Sequence, residues 1–173
     1  QHPIRQRPIR QRPIRQHQGE AMSVDIQNES CVEADEPGLV ALARFVLAEM
    51  RIHEEAEVSI LLVDEDVMSV YHEKWMGEPG PTDVLSFPMD ELRPPRQDEE
   101  PPLGLLGDVV LCPAVTSRQA AEHGRQPDAE AEYLLTHGLL HLLGFDHGTP
   151  EEKQEMFGLK DRLLAAWEEQ RPR

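Results

Sequence analysis

The segment HGLLHLLGFDH, residues 137–147, contains three histidines. His137 and His141 are four residues apart, so on a helix their imidazoles project from one face and can reach one metal ion. Gly144 follows where a helix could end in the left-handed conformation that glycine adopts at low cost, which would bring His147 back towards the same point. Three neutral imidazoles with an open fourth position are typical of a catalytic zinc site. We therefore predict one zinc ion per chain, bound by His137, His141 and His147.

A metallopeptidase uses the same arrangement of histidines. The spacing H-x3-H-x2-G-x2-H is typical of metzincin proteases, in which a glutamate directly after the first histidine is the general base. In this chain that position is Gly138. Because no carboxylate then lies beside the metal-bound water, the peptidase mechanism lacks its proton acceptor. A metzincin-like metallopeptidase is therefore the weakest of the functions that the histidines could serve.

Three polar side chains near the histidines in the sequence or the expected fold have both a catalytic and a structural interpretation. Asp146 joins the three histidines as a catalytic candidate because it could orient a zinc ligand, but it could equally serve only to turn the chain. Asp83 and Ser86, within PTDVLSFP (residues 81–88), could line a substrate groove. The simpler interpretation is that both form hydrogen bonds at a strand edge.

The elements that must position these residues follow from apolar periodicity. It predicts strands at 23–30, 57–64, 83–87 and 107–113, and helices at 37–50, 64–76, 114–123 and from 128 to about 143, with a last helix from 150. Asp35, Asp128 and Thr149 are expected to cap the first, fourth and fifth helices. Four strands and about five helices predict an α/β (α+β) fold, a single domain with one mixed sheet and helices packed on it. The proline-rich, charged stretch 91–104 is predicted to be a mobile surface loop.

The first 21 residues differ from the rest of the chain. QHPIRQRPIRQRPIRQ repeats proline and arginine every five residues and has no apolar periodicity, which is typical of an extended, disordered arm. We therefore predict a disordered basic extension at residues 1–21 and the folded domain at residues 22–173. The extension could also bind RNA, which its composition favours only weakly.

Charge and composition restrict the partners. Residues 22–173 contain 12 basic and 32 acidic side chains, a formal charge of −20, so this surface repels phosphate backbones. We expect no DNA binding, and any function on RNA must depend on a local site. The sequence has no apolar run long enough to cross a membrane and no signal peptide, so we expect a cytoplasmic protein. In that compartment Cys31 and Cys112 are expected to be reduced, and we predict that both are buried.

Two motifs in this order resemble those of a known family. HGLLHLLGFDH resembles the signature of the YbeY family of metal-dependent endoribonucleases, PTDVLSFP resembles its other characteristic block, and GDVVLC (residues 107–112) resembles the strand that follows. The likeness extends from Ser23 to Trp167. It implies a four-stranded sheet, zinc bound by the three histidines, and hydrolysis of single-stranded RNA. The implied role is maturation of the small-subunit rRNA 3′ end and ribosome quality control, with the rRNA precursor and the ribosome or its subunit proteins as partners.

One departure from that pattern favours a different function. Members of the family carry an arginine, suited to binding phosphate, shortly before the PTDVLSF block, whereas alignment on Gly77 places Met76 there. Lys74 and Arg118 are weak substitutes. The missing arginine and the acidic surface lend support to a ribosome-assembly factor that binds RNA and whose zinc is structural. For the endoribonuclease, attack by a metal-activated water and attack by the 2′-hydroxyl of the RNA are both open.

Overall fold

A computed structural model describes residues 23–171. In chain order the elements are β1 (Ser23–Asn28), α1 (Glu36–Glu49), β2 (Glu57–Leu62), α2 (Glu65–Met76), β3 (Val84–Pro88), β4 (Leu105–Leu111), α3 (Pro113–His123), α4 (Pro127–Leu142) and α5 (Pro150–Gln170). One mixed four-stranded sheet and five helices within this range confirm the predicted fold class. The basic extension predicted at residues 1–21 lies outside the described residues.

The four strands form one sheet in the order β1-β2-β4-β3. β1, β2 and β4 are parallel: Ile26 lies opposite Ile60, and Ile60 lies opposite Val109. β3 is antiparallel to β4, with Val84 opposite Leu111, and forms one edge of the sheet. The inner strands β2 and β4 are buried along most of their length because helices cover both faces, which accounts for their largely apolar sequences.

Helices cover the sheet on both faces. α1, α4 and α5 contribute to the larger core on one face. On the other face a smaller core joins Met68 of α2 to Phe87 of β3 and to residues of β2, β4 and α3. Leu139, Leu140 and Leu142 of α4 are completely buried in the larger core. The leucines between the histidines therefore anchor the helix that carries them.

Local signals placed most helix starts correctly. The carboxylate of Asp35 accepts a hydrogen bond from the Gly38 N–H at 3.1 Å, and Thr149 Oγ1 accepts one from the Glu152 N–H at 3.1 Å. The cap predicted at Asp128 was wrong, because α4 begins at Pro127 and its N-cap is Gln126. Proline suits the first helical position, where its missing N–H needs no partner, so the helix starts one residue earlier.

The prediction that both cysteines are buried was right for Cys112 and wrong for Cys31. Cys31 lies in the connection between β1 and α1, where its side chain is exposed. The backbone N–H of Cys31 donates to Asp64 Oδ1 at 2.9 Å. A contact with a residue so distant in the sequence holds the connection at the surface, and no local pattern of the sequence encodes it.

The loop between β3 and β4 is tied down at both ends. Met89 N–H donates to the backbone oxygen of Leu106, and Asp90 N–H to that of Leu105, so the antiparallel pairing continues beyond the strands. Asp90 Oδ2 also accepts from the Leu105 N–H at 2.8 Å. The residues between these ends are mostly exposed, as predicted for 91–104. Among residues 23–171 no helix combines the length and apolar character needed to cross a membrane.

Candidate metal centre

A glycine turn at the end of α4 brings the third histidine back to the first two. α4 ends at Leu142, after which the Gly144 N–H donates to the oxygen of His141 and the Phe145 N–H to the oxygen of Leu140, both at 3.0 Å. These two bonds form a Schellman motif. Gly144 has a φ of 95°, which confirms the prediction that a glycine with positive φ ends this helix.

The ring nitrogens of His137, His141 and His147 converge. One nitrogen of each ring lies within 4.8 Å of the other two, and the Nε2 atoms of His137 and His141 are 3.0 Å apart. Two nitrogens that bind zinc tetrahedrally at about 2.0–2.1 Å are separated by about 3.3–3.4 Å. The spacing therefore fits a metal ion, and the three residues could hold one. His147 is exposed, so solvent and ligands can approach the cluster from its side.

A buried lysine contacts the ring nitrogen of His137 that points away from the other two histidines. Lys160 of α5 is 1% exposed, and its Nζ lies 3.2 Å from His137 Nδ1. The rings of Tyr133 and Phe157 enclose the same Nζ, with ring centroids at 4.0 and 3.9 Å. Because Nδ1 is engaged by Lys160, Nε2 is the nitrogen that faces the other two histidines. This contact fixes the ring orientation that a metal ligand requires.

Burial keeps two of the three imidazoles neutral. Burial is the largest cause, and together with the positive charges that His141, Lys160 and His147 can carry it lowers the pKa of His137 to about 3. Burial also lowers the pKa of His141, with His147 acting in the same direction and the carboxylate of Asp146 opposing it. Neutral rings have free lone pairs, so at pH 7 neither of these histidines must lose a proton before it binds a metal.

The low pKa of His137 predicts how the stability of the metal-free protein depends on pH. The unfolded chain titrates this ring near 6.5 and the folded protein near 3, so between these values the unfolded chain binds more protons. The contribution to stability is complete above pH 6.5 and is lost as the pH falls towards 3. Thermal unfolding of chelated protein across this range should show a falling melting temperature. His137→Gln should show a shallower fall, and an identical fall in the two proteins would contradict the prediction.

The histidine cluster opens into a cavity of about 590 Å³. Strand β3 forms one wall, and the end of α4 with the turn that follows forms another. The remaining lining includes Glu91 and Arg93 of the β3–β4 loop and Met76 at the end of α2. This volume lies within the usual range for ligand-binding pockets. The histidine cluster is therefore at the surface of a cavity that can admit a substrate.

Gly138 allows α4 to lie close to the sheet beside this cavity. A Cβ atom on Gly138 would be 2.8 Å from Cγ1 of Val109 and 3.1 Å from Oγ of Ser86. The same approach lets Ser86 Oγ donate a hydrogen bond to the backbone oxygen of Gly138 at 2.9 Å. The position where a metzincin has its glutamate thus faces the sheet in this fold. The close packing also gives Ser86 a structural contact in addition to its place on the cavity wall.

Asp146 and Asp83 both line the cavity and both bind neighbouring backbone. Asp146 Oδ1 accepts from the N–H of His147 at 2.7 Å, and Asp83 Oδ1 accepts from the N–H of Val84 at 2.7 Å. The structural interpretation thus applies to each of them. Because each also faces the cavity, the same side chains are placed to meet a ligand.

The substitutes for the missing arginine lie elsewhere. Met76 lines the cavity and is 48% exposed, so an apolar side chain occupies the place that the resemblance assigned to an arginine. Arg118 forms an ion pair with Glu65, and Lys74 Nζ lies 5.0 Å from the ring centre of Trp75. Neither cation is among the residues that line the cavity.

Sequence reasoning missed two residues of the site, Lys160 and Arg93. A signal for Lys160 existed: it follows Met156 by four residues and precedes Leu163 by three, which places it on the buried face of α5. A lysine on a core-facing stripe of a helix needs a specific partner, and such a partner can be a functional group. Arg93 has no comparable signal, because it lies in a loop without periodicity and reaches the site through contacts distant in sequence.

Fold and site together define a class of protein. A single α/β domain that presents three converging imidazoles to an open cavity has the arrangement typical of a metal-dependent hydrolase. The sequence profile of the family described as "Endoribonuclease YbeY" matches residues 24–168. The chain therefore belongs to the YbeY endoribonuclease family.

The chain also matches individual relatives over nearly their whole length. The chain is 65% identical over 148 residues to Endoribonuclease YbeY of Cutibacterium acnes, covering 86% of this chain and 96% of that protein. It is 57% identical over 148 residues to Endoribonuclease YbeY of Thermobifida fusca, with 84% and 94% covered. The solution structure of TM1509 from Thermotoga maritima matches with a TM-score of 0.55 at 24% identity, over 87% of this chain and 91% of that one. This last likeness supports the fold.

Proposed function

We propose that this protein is a zinc-dependent endoribonuclease specific for single-stranded RNA, which matures the 3′ end of the small-subunit rRNA and acts in ribosome quality control. The observation that carries the proposal is the convergence of three histidines at an open cavity, in a chain whose family is named for endoribonuclease activity. The rRNA precursor is its substrate, and the ribosome or its subunit proteins are its partners. It acts in the cytoplasm, where bacterial rRNA is processed.

The metal in this proposal is one zinc ion per chain. Within residues 23–171 the donor set is three imidazoles with no thiolate or carboxylate, which suits zinc better than magnesium or calcium. The three histidines line the cavity, so an ion that they held would be accessible to a substrate there. When bound, zinc would supply Lewis acidity, which lowers the pKa of a coordinated water and offsets negative charge on a phosphoryl oxygen.

The protein's own residues hold and orient the reacting groups. His137, His141 and His147 would hold the zinc, and Lys160 keeps the ring of His137 turned so that Nε2 faces the other histidines. The carboxylate of Asp146 accepts the backbone N–H of His147, so it positions the third ligand and completes the catalytic set. The cavity wall formed by β3 provides a surface along which a flexible single strand can lie.

Two nucleophiles are compatible with this arrangement, a water and the 2′-hydroxyl adjacent to the scissile phosphate. An RNA with a 2′-O-methyl group at the cleavage position distinguishes them. The methyl group would block attack by the 2′-hydroxyl. On unmodified RNA, that attack would give a product that ends in a 2′,3′-cyclic phosphate. Attack by water would tolerate the methyl group and leave a linear phosphate.

A second candidate function is an assembly factor that binds rRNA and uses its zinc only for stability. The formal charge of −20 for residues 22–173 and the apolar Met76 in the cavity favour it. In that case the zinc would stabilise the fold, and RNA would bind to the zinc-loaded protein without being cut.

The test of the proposal compares RNA cleavage by zinc-loaded and chelated protein. We expect the zinc-loaded protein to cut a single-stranded rRNA precursor, to cut the same sequence far more slowly when it is paired in a duplex, and to lose activity on chelation. Restoring zinc should restore the activity. Binding of RNA without cleavage by protein that holds one zinc per chain would replace this proposal with the assembly factor, and equal cleavage by zinc-loaded and chelated protein would exclude the metal from the reaction.

A further inference from the structure

We propose that Arg93 binds a phosphate of the RNA backbone beside the metal centre, a role that rests on the proposed function. The need for such a residue arises from charge. The cavity lining includes the carboxylates of Asp83, Glu91 and Asp146, within a domain that is itself strongly acidic. A phosphodiester entering this cavity must be attracted by a local cation, because the overall field of the domain repels it.

Arg93 is the one lysine or arginine among the described residues that line this cavity. It also lines a smaller adjoining pocket formed with the turn after α4 and with Glu152 and Glu155 of α5. Its side chain therefore lies at the boundary between the cavity and the smaller pocket. From this position it can meet the part of a bound strand that continues away from the histidines.

The side chain of Arg93 packs against the backbone of Gly144. A Cβ atom at Gly144 would lie 2.5 Å from both Nε and Cζ of Arg93, so any other residue at this position would displace the guanidinium. Gly144 is the residue of the turn that joins His141 to His147. The glycine thus serves two purposes: its positive φ closes the helix, and its missing side chain leaves room for a cation next to the ligand histidines.

The guanidinium of Arg93 is available for a ligand. Within residues 23–171 it donates from Nη1 to the backbone oxygen of Leu92 at 3.2 Å and forms an ion pair with no carboxylate. The neighbouring arginine of the same loop differs, because the side chain of Arg96 is paired with Glu99. An arginine has five N–H donors in a planar fork that matches the oxygens of a phosphate, so donors of Arg93 remain for a bidentate contact.

The test uses zinc-loaded protein and a single-stranded rRNA oligonucleotide, with Arg93→Ala, Arg93→Lys and the matched control Arg96→Ala. We expect Arg93→Ala to lower kcat/KM by about 10- to 100-fold, since a hydrogen-bonded charge pair is lost. The kcat/KM of Arg93→Lys should lie between those of the unchanged protein and Arg93→Ala, because lysine keeps the positive charge but lacks the planar pair of donors. Arg96→Ala removes the same charge from the same loop outside the cavity and should change kcat/KM less than twofold.

A binding measurement separates this inference from the proposed function. Fluorescence anisotropy of the same single-stranded RNA with chelated protein, which should not cut it, at several salt concentrations gives the dependence of log K on log salt. Arg93→Ala should weaken binding and reduce the steepness of this dependence by about 0.7, the value for one phosphate contact on a single strand. It should still bind one zinc per chain and unfold at the temperature of the unchanged protein.

Each outcome decides one of the two claims. If the unchanged protein cuts RNA and Arg93→Ala cuts and binds it equally well, the role of Arg93 is refuted and the proposed function stands. A loss as large in Arg96→Ala would also refute it, since loop charge in general would then be responsible. If the unchanged protein does not cut RNA, the proposed function fails, and the binding slope of Arg93→Ala alone supports or overturns the phosphate contact.

Discussion

Replacing His141 with alanine should abolish both zinc binding and RNA cleavage. His141 lies close to both other histidines, with its Nε2 3.0 Å from that of His137 and its ring centroid 5.2 Å from that of His147. Two remaining imidazoles cannot hold zinc in a catalytic geometry, which requires three protein ligands. Because a catalytic metal contributes several kcal/mol to stabilising the transition state, cleavage should fall by about 1,000-fold or more.

The matched control is His53→Ala. His53 lies outside the cluster, and its Nδ1 accepts the backbone N–H of Glu55. This variant should bind one zinc per chain, measured by elemental analysis after gel filtration, and should cut RNA at the rate of the unchanged protein. If His141→Ala bound as much zinc as the unchanged protein and cut RNA at the full rate, the assignment of His141 as a ligand would be contradicted. Activity in all samples, whatever their zinc content, would identify a contaminating ribonuclease.

A glutamate at Gly138 should destabilise the protein by more than about 4 kcal/mol and should not create a peptidase. The substitution restores the sequence pattern of a metzincin, yet the new side chain would point at the sheet, where its Cβ atom would be only 2.8 Å from Cγ1 of Val109. Successive helical residues are rotated by about 100°, so position 138 faces away from the cluster to which His137 points. Overpacking and a buried carboxylate without a partner both add to the cost.

Urea unfolding measures this effect, with Gly158→Glu as the control. Gly158 is also a helical glycine, on α5, and the nearest atom to its Cβ position is Nη1 of Arg162 at 3.5 Å. A glutamate there has space and a nearby cation, so the free energy of unfolding should change by less than about 1 kcal/mol. Near-normal stability of Gly138→Glu would show that α4 can move away from the sheet, and peptidase activity in that variant would overturn our rejection of the protease.

The sequence predicts those parts of the fold and of the candidate site that depend on near neighbours. Asp35 and Thr149 cap their helices through bonds that span three residues, and Gly144 closes α4 through bonds that span three and five. The convergence of His137, His141 and His147 follows from one helical turn and one tight reversal. Such features are encoded within about ten residues, so a single sequence is sufficient to find them.

The parts that the sequence does not predict depend on how distant elements pack. Lys160 reaches His137 only because α5 lies beside α4, and Arg93 reaches Gly144 only because the β3–β4 loop returns to the end of α4. For the same reason, the sequence reveals only part of the role of Gly138. Its sequence position shows what is missing for a peptidase, and only the position of Val109 on the neighbouring strand explains why a glycine is required.

The dependence of RNA cleavage on zinc can be measured by titrating chelated protein with zinc and recording bound zinc and the initial rate of cleavage at each step. The rate should rise in proportion to bound zinc and reach its plateau at one ion per chain, and His141→Ala should stay inactive throughout. A protein that binds one zinc per chain without cutting single-stranded rRNA, or that cuts it at full rate with no metal bound, would contradict zinc-dependent RNA cleavage.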